Sequence, residues 1–364
     1  MIEVKDIKEV VPHTNLFSVI SNLGHEQIVF CQDEEAGLKA IIAIHNTVLG
    51  PALGGTRMWK YNNESDALND VLRLSRGMTY KASISGLDLG GGKAVIIGDS
   101  KKDKTEKLYR RFGQFVNSLS GRYITAEDVG TSTADMVNVA KETKFVTGLP
   151  ESMGGGGDPS PVTAYGVFMG MKAAAKELWG TDNLSGRNVV VQGCGNVGQH
   201  LVRFITEDGG KVLVADIHPE NLEKVSHLNA TIIDKDSVYD ADVDIYAPCA
   251  LGATLNSINI AKLKCSIIAG AANNQLEDEA THGKMLMDKG ILYAPDFLIN
   301  AGGLINVYSE LQGYDRAKAL EATKLIYNVT LDIFKKSKTE NIPTVDAAKN
   351  LAEKRIADAK KLKQ

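Results

Sequence analysis

NVVVQGCGNVG, residues 188–198, runs from three consecutive valines into a glycine-spaced turn and then into an amphipathic stretch over 196–207. Consecutive β-branched residues favour a strand buried on both faces, the kind found in parallel sheets. Gly193, Gly195 and Gly198 then place G-x-G-x-x-G at a strand-to-helix turn. The missing side chains let a pyrophosphate approach, and the helix N-terminus offers N–H groups and a positive dipole end. Asp216 ends the next strand, KVLVAD, about twenty residues on, where a carboxylate accepts hydrogen bonds from an adenosine ribose. The same charge repels a 2′-phosphate, and Ile217 and His218 supply no arginine to offset it. The expected cofactor is NAD.

Working outward, a helix over 162–178 precedes this unit, and DVDIYAP, CSIIAG and ILYAPD follow as short buried strands. Strands alternating with helices predict a doubly wound parallel sheet. Two helices over about 315–335 and 345–362, separated by Pro343, bring no strands of their own. Upstream, GGGGDPSP (Gly154 to Pro161) has the composition of a hinge, because glycine frees the backbone and each proline extends the residue before it. Before the hinge, QIVFCQ, KAIIAIH, KAVIIGD and RYITAED read as strands between helices over 64–82 and 103–119. The expected architecture is α/β in two domains, residues 1–150 and a Rossmann-type NAD domain over 151–334. A length of 364 residues agrees, since it exceeds what one core supports.

Composition narrows the function class. Hydrophobic residues make up 43% and charged residues 24% of the chain, with a net charge of −4 and no basic stripe, which argues against nucleic-acid or anionic-membrane partners. The opening MIEVKDIKEVV lacks the apolar core of a secretion signal, and a cytoplasmic location is expected. Cys31, Cys194, Cys249 and Cys265 make no CxxC, and the seven histidines have no spacing suited to a shared metal. Free, partly buried thiols and no metal are expected.

Two lysines stand where apolar or small residues belong. Ala67, Val71, Leu74 and Met78 mark a buried helical stripe, and Lys81 continues it. Lys93 follows Gly90, Gly91 and Gly92 and opens the strand AVIIGD. An ammonium held in a cleft pairs with a substrate carboxylate. Two of them in a partly desolvated cleft oppose each other's protonation, so one is expected to lose its proton near neutral pH and serve as a general base. Asp128, ending RYITAED, is the complementary acid/base candidate.

The runs PALGGTRMW (51–59), RGMTYK (76–81), GLDLGGGKAVIIGD (86–99), RYITAEDVGT (122–131), PSPVTAYGV (159–167), QGCGNVG (192–198), CALGA (249–253), AGAANNQL (269–276) and INAGGLINV (299–307) together resemble the glutamate/leucine/phenylalanine/valine dehydrogenase family over nearly the whole chain. The resemblance implies that Lys81 binds a substrate α-carboxylate with the backbone of Gly54 and Gly55. It implies that Lys93 activates the water that adds to an imino acid, and that Asp128 shuttles protons at the amino group. Thr163 and Asn273 or Asn274 would orient the nicotinamide. Gly193, Cys194, Gly195, Asn196, Val197 and Gly198, with Ala250 of CALGA, would complete the cofactor contacts. It further implies that residues 1–150 form the substrate-binding, catalytic and oligomerisation domain, with a deep cleft between the domains, a C-terminal helix (about 335–364) returning to the first domain, and a homo-oligomer, an octamer, built through that domain.

Substrate choice follows from the pocket positions. Glutamate-specific relatives tend to carry lysine immediately before the Gly-Gly pair, and this chain has Leu53. With Met78, Ala126, Leu304 and Val307 it implies an apolar pocket for leucine, isoleucine or valine. Leu304 departs from the valine usual in leucine dehydrogenases, and is commoner in phenylalanine-active relatives. The expected reaction is reversible oxidative deamination of a branched-chain L-amino acid to the 2-oxo acid and ammonia. Phenylalanine oxidation and dinucleotide binding without turnover are the alternatives.

Overall fold

The computed structural model describes residues 16–363. The opening run on which the absence of a secretion signal was argued lies outside them. The β-branched runs of the first part form β1 (Gln27–Asp33), β2 (Leu38–Asn46), β4 (Gly90–Ile97) and β5 (Tyr123–Glu127), and β3 (Ala52–Trp59) joins them in the order β1-β2-β4-β3-β5. β1, β2 and β4 pair antiparallel, while β3 lies parallel to both β4 and β5. One face of this sheet is covered by helix Glu64–Ile84, whose Ala67, Leu68, Val71 and Leu72 pack on Ile41, Ala43 and Val95. The other face holds Ile42, Met58, Ala94 and Ile96 against Tyr109, Phe112 and Val116 of helix Glu106–Ser118 and Met136 and Val139 of helix Thr133–Ala140.

β3 is not among the strands expected from sequence, because two glycines dilute its β-branched signal. Both are needed there. A Cβ on Gly54 would stand 1.8 Å from the Gly92 carbonyl oxygen, and one on Gly55 would stand 2.4 Å from that of Glu127. The expected helical stripe also needs correcting. Ala67 and Val71 are buried, but Leu74 and Met78 are only partly so, and the buried face passes instead through Ser75, Thr79 and Ala82. The cause is a close helix-to-strand approach at Gly91, where a Cβ would lie 2.1 Å from the Thr79 nitrogen.

In the second part, β6 (Asn188–Gln192), β7 (Lys211–Ala215), β8 (Thr231–Ile232), β9 (Ile245–Pro248), β10 (Ile267–Ile268) and β11 (Leu292–Tyr293) form a six-stranded sheet in the order β11-β10-β9-β6-β7-β8. All its pairs are parallel. The strand order reverses between β6 and β9, the switch point at which open α/β sheets bind ligands beyond the carboxyl ends of their strands.

Two compact units result. The first comprises residues up to Gly157, Glu310–Tyr314 and the chain from Glu353 onward; the second comprises Asp158–Ser309 and Asp315–Ala352. The expected boundary at 150/151 therefore moves to 157/158, and most of the expected returning helix stays with the second unit. Helix Leu325–Glu340 packs on helix Ser160–Trp179, where Gly166 leaves room for Ile326 and a Cβ would meet its Cδ1 at 2.8 Å. From Glu353 onward the chain belongs to the first unit because Arg355 grips the end of helix Glu64–Ile84. Its guanidinium donates to the carbonyls of Leu87 at 2.7 Å and Ser83 at 3.2 Å and pairs with Asp88 at 2.9 Å. Among the described residues no helix is long and apolar enough to cross a membrane.

Candidate active site

β4 alternates its side chains between the two faces of the first sheet. Ala94 and Ile96 enter one core, so Gly91, Lys93 and Val95 face helix Glu64–Ile84. Lys93 is 5% exposed. An amine so placed must be paired or lose its proton. Its Nζ lies 3.1 Å from Asp128 Oδ1. Asp128 stands just past the end of β5, which parallel pairing with β3 sets beside Gly55, and a Cβ on Gly55 would meet the Asp128 Cβ at 2.9 Å.

The pair does not stand alone. Arg57 of β3 donates from Nε to Asp128 Oδ2 at 3.0 Å and from Nη1 to Asp70 Oδ2 at 2.8 Å. Tyr61 adds a hydroxyl bond to Asp70 Oδ2 at 2.8 Å, and Arg73 reaches Asp70 Oδ1 at 3.3 Å. Charges thus alternate along Lys93, Asp128, Arg57 and Asp70. Burial pulls the Lys93 amine below its ordinary range, Asp128 opposes that, and Arg57 assists it, with a net lowering. Burial alone would raise the Asp128 carboxyl; Lys93 and Arg57 outweigh it and hold the group ionised. The arrangement is a fixed carboxylate beside a buried amine inclined to give up its proton.

Arg57, Asp70 and Tyr61 went unrecognised from sequence. The available signal was the two-residue period of β3, which sets Leu53, Gly55 and Arg57 on one face. It is legible only once β3 is known to be a strand.

Leu53, Gly55 and Ala126 share that face, and Gly54 takes the other. Leu53 pairs with Gly91 and Ile124, and Gly55 with Ala126. Leu53 and Ala126 are buried, Met78 is half-buried, and Gly54 accepts a 2.6 Å hydrogen bond at its carbonyl from the Tyr123 hydroxyl. Lys81 lies in the last turn of helix Glu64–Ile84, partly exposed, two residues beyond the contact between Thr79 and Gly91.

In the second unit the turn after β6 has the form the glycine spacing predicts. Gly193 takes a left-handed φ of 100°, and its amide donates to the Ala215 carbonyl at 2.8 Å. A Cβ on it would strike Ala250, while one on Gly198 would stand 2.0 Å from the Gly193 oxygen, so both glycines are fixed by packing. Gly195 is different. Nothing lies within 4 Å of where its Cβ would be. That open side, at the start of helix Gly198–Glu207 and at the sheet's switch point, is a cradle that fits a dinucleotide's pyrophosphate.

Asp216 takes the Cys194 amide at 2.7 Å and Asn221 Nδ2 at 3.2 Å on Oδ2, and the His218 amide at 2.8 Å on Oδ1. Burial opposes its ionisation, but these donors prevail and its pKa is lowered. Of about four lone-pair sites on a carboxylate, three are thus used, leaving capacity for a ribose hydroxyl.

Asn196 and Val197 form the turn into the helix. Ala250 is exposed, and its loop packs against the 269–276 segment, where Asn274 (φ 51°) accepts the Ala253 amide at 2.7 Å. Asn273 is exposed with Oδ1 held by Asn300 Nδ2 at 2.7 Å. Thr163, in the first turn of helix Ser160–Trp179, abuts Gly303, whose Cβ would stand 2.9 Å from its hydroxyl. Just after that glycine pair, Leu304 is buried and Val307 half-buried. Cys31, Cys194, Cys249 and Cys265 are all unpaired. Among the described residues no cluster of three or more His, Cys, Asp or Glu is arranged to hold a metal.

Two family models match, one described as Glu/Leu/Phe/Val dehydrogenase, dimerisation domain, over residues 25–145, and one as Glutamate/Leucine/Phenylalanine/Valine dehydrogenase, over 154–218 and 214–363. The chain is 53% identical to a leucine dehydrogenase of Geobacillus stearothermophilus, covering 95% of this chain and 94% of that one. It is 50% identical to an L-tryptophan dehydrogenase of Nostoc punctiforme over 96% and 98%. The crystal structure of L-tryptophan dehydrogenase from Nostoc punctiforme superposes with a TM-score of 0.86 at 49% identity, covering 95% of this chain and all of that one. A hetero-hexameric glutamate dehydrogenase from Thermus thermophilus, at 22% identity and a TM-score of 0.78, shares the fold. With both family models spanning its two units and its buried lysine–aspartate pair in the first, the chain belongs to the Glu/Leu/Phe/Val family of amino-acid dehydrogenases.

Proposed function

We propose that this enzyme oxidatively deaminates branched-chain L-amino acids, leucine foremost with valine and isoleucine, using NAD and releasing the 2-oxo acid, ammonia and NADH. The observation that carries the reading is the Lys93–Asp128 pair, whose buried amine lies on the same sheet face as Leu53. When bound, the nicotinamide accepts the hydride. The protein does the remaining work. Lys81 and the backbone at Gly54 and Gly55 hold the α-carboxylate. Lys93, as a neutral amine, takes a proton from the water that adds to the imino carbon, and Asp128 carries protons to and from the nitrogen. Thr163 and Asn273 or Asn274 orient the ring.

Leu53 and Ala126 support an apolar side-chain pocket, completed in this reading by Met78, Leu304 and Val307. An acidic side chain against Leu53 would be left unpaired at a cost of several kcal/mol. One methylene among apolar substrates shifts selectivity by only about 1–3 kcal/mol. NAD is favoured over NADP because Asp216 is ionised and followed by Ile217 and His218. We infer a homo-oligomer from the dimerisation-domain family match, and a mass measurement in solution tests this and the octamer that the resemblance implies. Four unpaired cysteines suit a reducing cytoplasm.

The test is NADH formation at mildly alkaline pH with leucine, valine, isoleucine, phenylalanine, tryptophan and glutamate. Highest kcat/KM with a branched-chain substrate and negligible turnover of glutamate is expected. An aromatic preference would replace the substrate assignment, and no amino-acid turnover would overturn the reading.

A further inference from the structure

We infer that Arg57 is the positioning residue of the Lys93–Asp128 pair, and that Asp70 sets how strongly Arg57 acts. The inference rests on the proposed deamination chemistry and extends it to residues with no direct part in that scheme.

The geometry makes Arg57 a two-ended clamp. Its Nε holds Asp128 Oδ2 at 3.0 Å, while Lys93 holds the other oxygen of the same carboxylate at 3.1 Å. A carboxylate gripped at both oxygens has one rotamer. That rotamer keeps Oδ1 facing the amine. At its far side Arg57 Nη1 holds Asp70 Oδ2 at 2.8 Å, and Asp70 is fixed by the Tyr61 hydroxyl at 2.8 Å and by Arg73 at 3.3 Å. Arg57, Asp70 and Asp128 side chains are each less than a quarter exposed, so these charges are weakly screened.

The charged groups that act on Lys93 are Asp128 after β5, Arg57 on β3 and Asp70 on helix Glu64–Ile84, while Tyr61 and Arg73 act through their contacts with Asp70. Among them Asp128 and Asp70 favour the protonated amine, while burial and Arg57 oppose it. Arg57 therefore performs two tasks. It aims the carboxylate, and it keeps Lys93 ready to release its proton.

The signs of two substitutions follow and are opposite. Arg57→Gln removes the opposing cation and leaves Asp70 neutralised only by Arg73, so the Lys93 amine holds its proton to higher pH. Asp70→Asn removes a favouring anion and leaves Arg57 less neutralised, so the amine gives up its proton at lower pH. The pH dependence of kcat/KM for leucine is measured for the wild type and both variants. Arg57→Gln is expected to move the ascending limb alkaline by about one pH unit and to lower kcat/KM at neutral pH about tenfold or more. Asp70→Asn is expected to move it toward acid. NADH affinity, read by fluorescence, stays within about twofold in both.

Limbs moving in the same direction, or an activity loss with an unmoved limb, would overturn the inference. Should Arg57→Gln fail to fold, Asp70→Asn decides alone, since an unmoved or alkaline-shifted limb contradicts it. A wild type without amino-acid turnover would defeat the functional reading instead. In that case the Lys93 titration itself, followed by NMR of lysine 13Cε with Lys93→Ala to assign the resonance, still decides the positioning claim by the same two signs.

Discussion

Asp216 holds the glycine turn together and is also the residue proposed to take the ribose. Its carboxylate ties the Cys194 amide of the glycine turn to the end of β7 and receives the His218 amide, before any ribose is considered. Removing it outright would loosen the turn as well as the cofactor contact. Asp216→Asn is the cleaner change, because it keeps an acceptor while deleting the charge. The ratio of NAD to NADP affinity is expected to fall by about tenfold or more, through weaker ribose binding and relief of 2′-phosphate repulsion. Equal losses for both dinucleotides, measured by fluorescence titration, would remove the ribose contact. Lys93 and Asp128 were each legible as single residues, from glycine spacing and from position at a strand end. Arg57 was not, because what makes it notable is a partner some seventy positions away, just past the end of another strand. Sequence periodicity carries information about neighbours on one element and little about partners on the next.

At the scale of elements, the seating of helix Glu64–Ile84 on β4 matters most, since that helix bears Lys81 and that strand bears Lys93. The seating depends on glycine at 91 and on small polar residues opposite, and two buried histidines complete it. His45 Nδ1 lies 2.8 Å from the Thr79 hydroxyl, and its Nε2 lies 3.1 Å from the Leu23 carbonyl. His25 Nε2 lies 2.9 Å from the Ser75 hydroxyl, and the two rings meet edge to face at 4.8 Å. Since a carbonyl only accepts, Nε2 of His45 carries the proton and Nδ1 accepts from Thr79.

Burial, then mutual repulsion, holds His25 down to about 3; burial, with Arg76 also opposing the charge, holds His45 down to about 4. Unfolded, both titrate near 6.5. Between those values the unfolded chain binds more protons than the folded one, so stability falls as pH drops through this window. The slope approaches about 1.4 kcal/mol per pH unit for each histidine. Urea unfolding of His25→Gln between pH 7 and 5 is expected to show a visibly shallower decline than the wild type; an unchanged slope would contradict this. The glycine turn, five strands of the parallel sheet and the longest helices were readable from sequence because each is a local pattern; the two-residue β8 was too short to show one. β3 and the true face of helix Glu64–Ile84 were not, because close backbone approach, rather than apolar periodicity, selects their residues.

The whole molecule divides its work between two units. One carries the buried amine and its carboxylate; the other carries the glycine turn and Asp216. Proton chemistry and dinucleotide binding should therefore be separable by substitution. Lys93→Ala provides the most direct measurement, with leucine-dependent NADH formation and NADH affinity followed on the same preparation. Turnover lower by about three orders of magnitude or more, with NADH affinity within about twofold of the wild type, is the predicted result. Turnover within about tenfold of the wild type at the same NADH affinity would contradict the role given to Lys93, and with it the account of how this enzyme works.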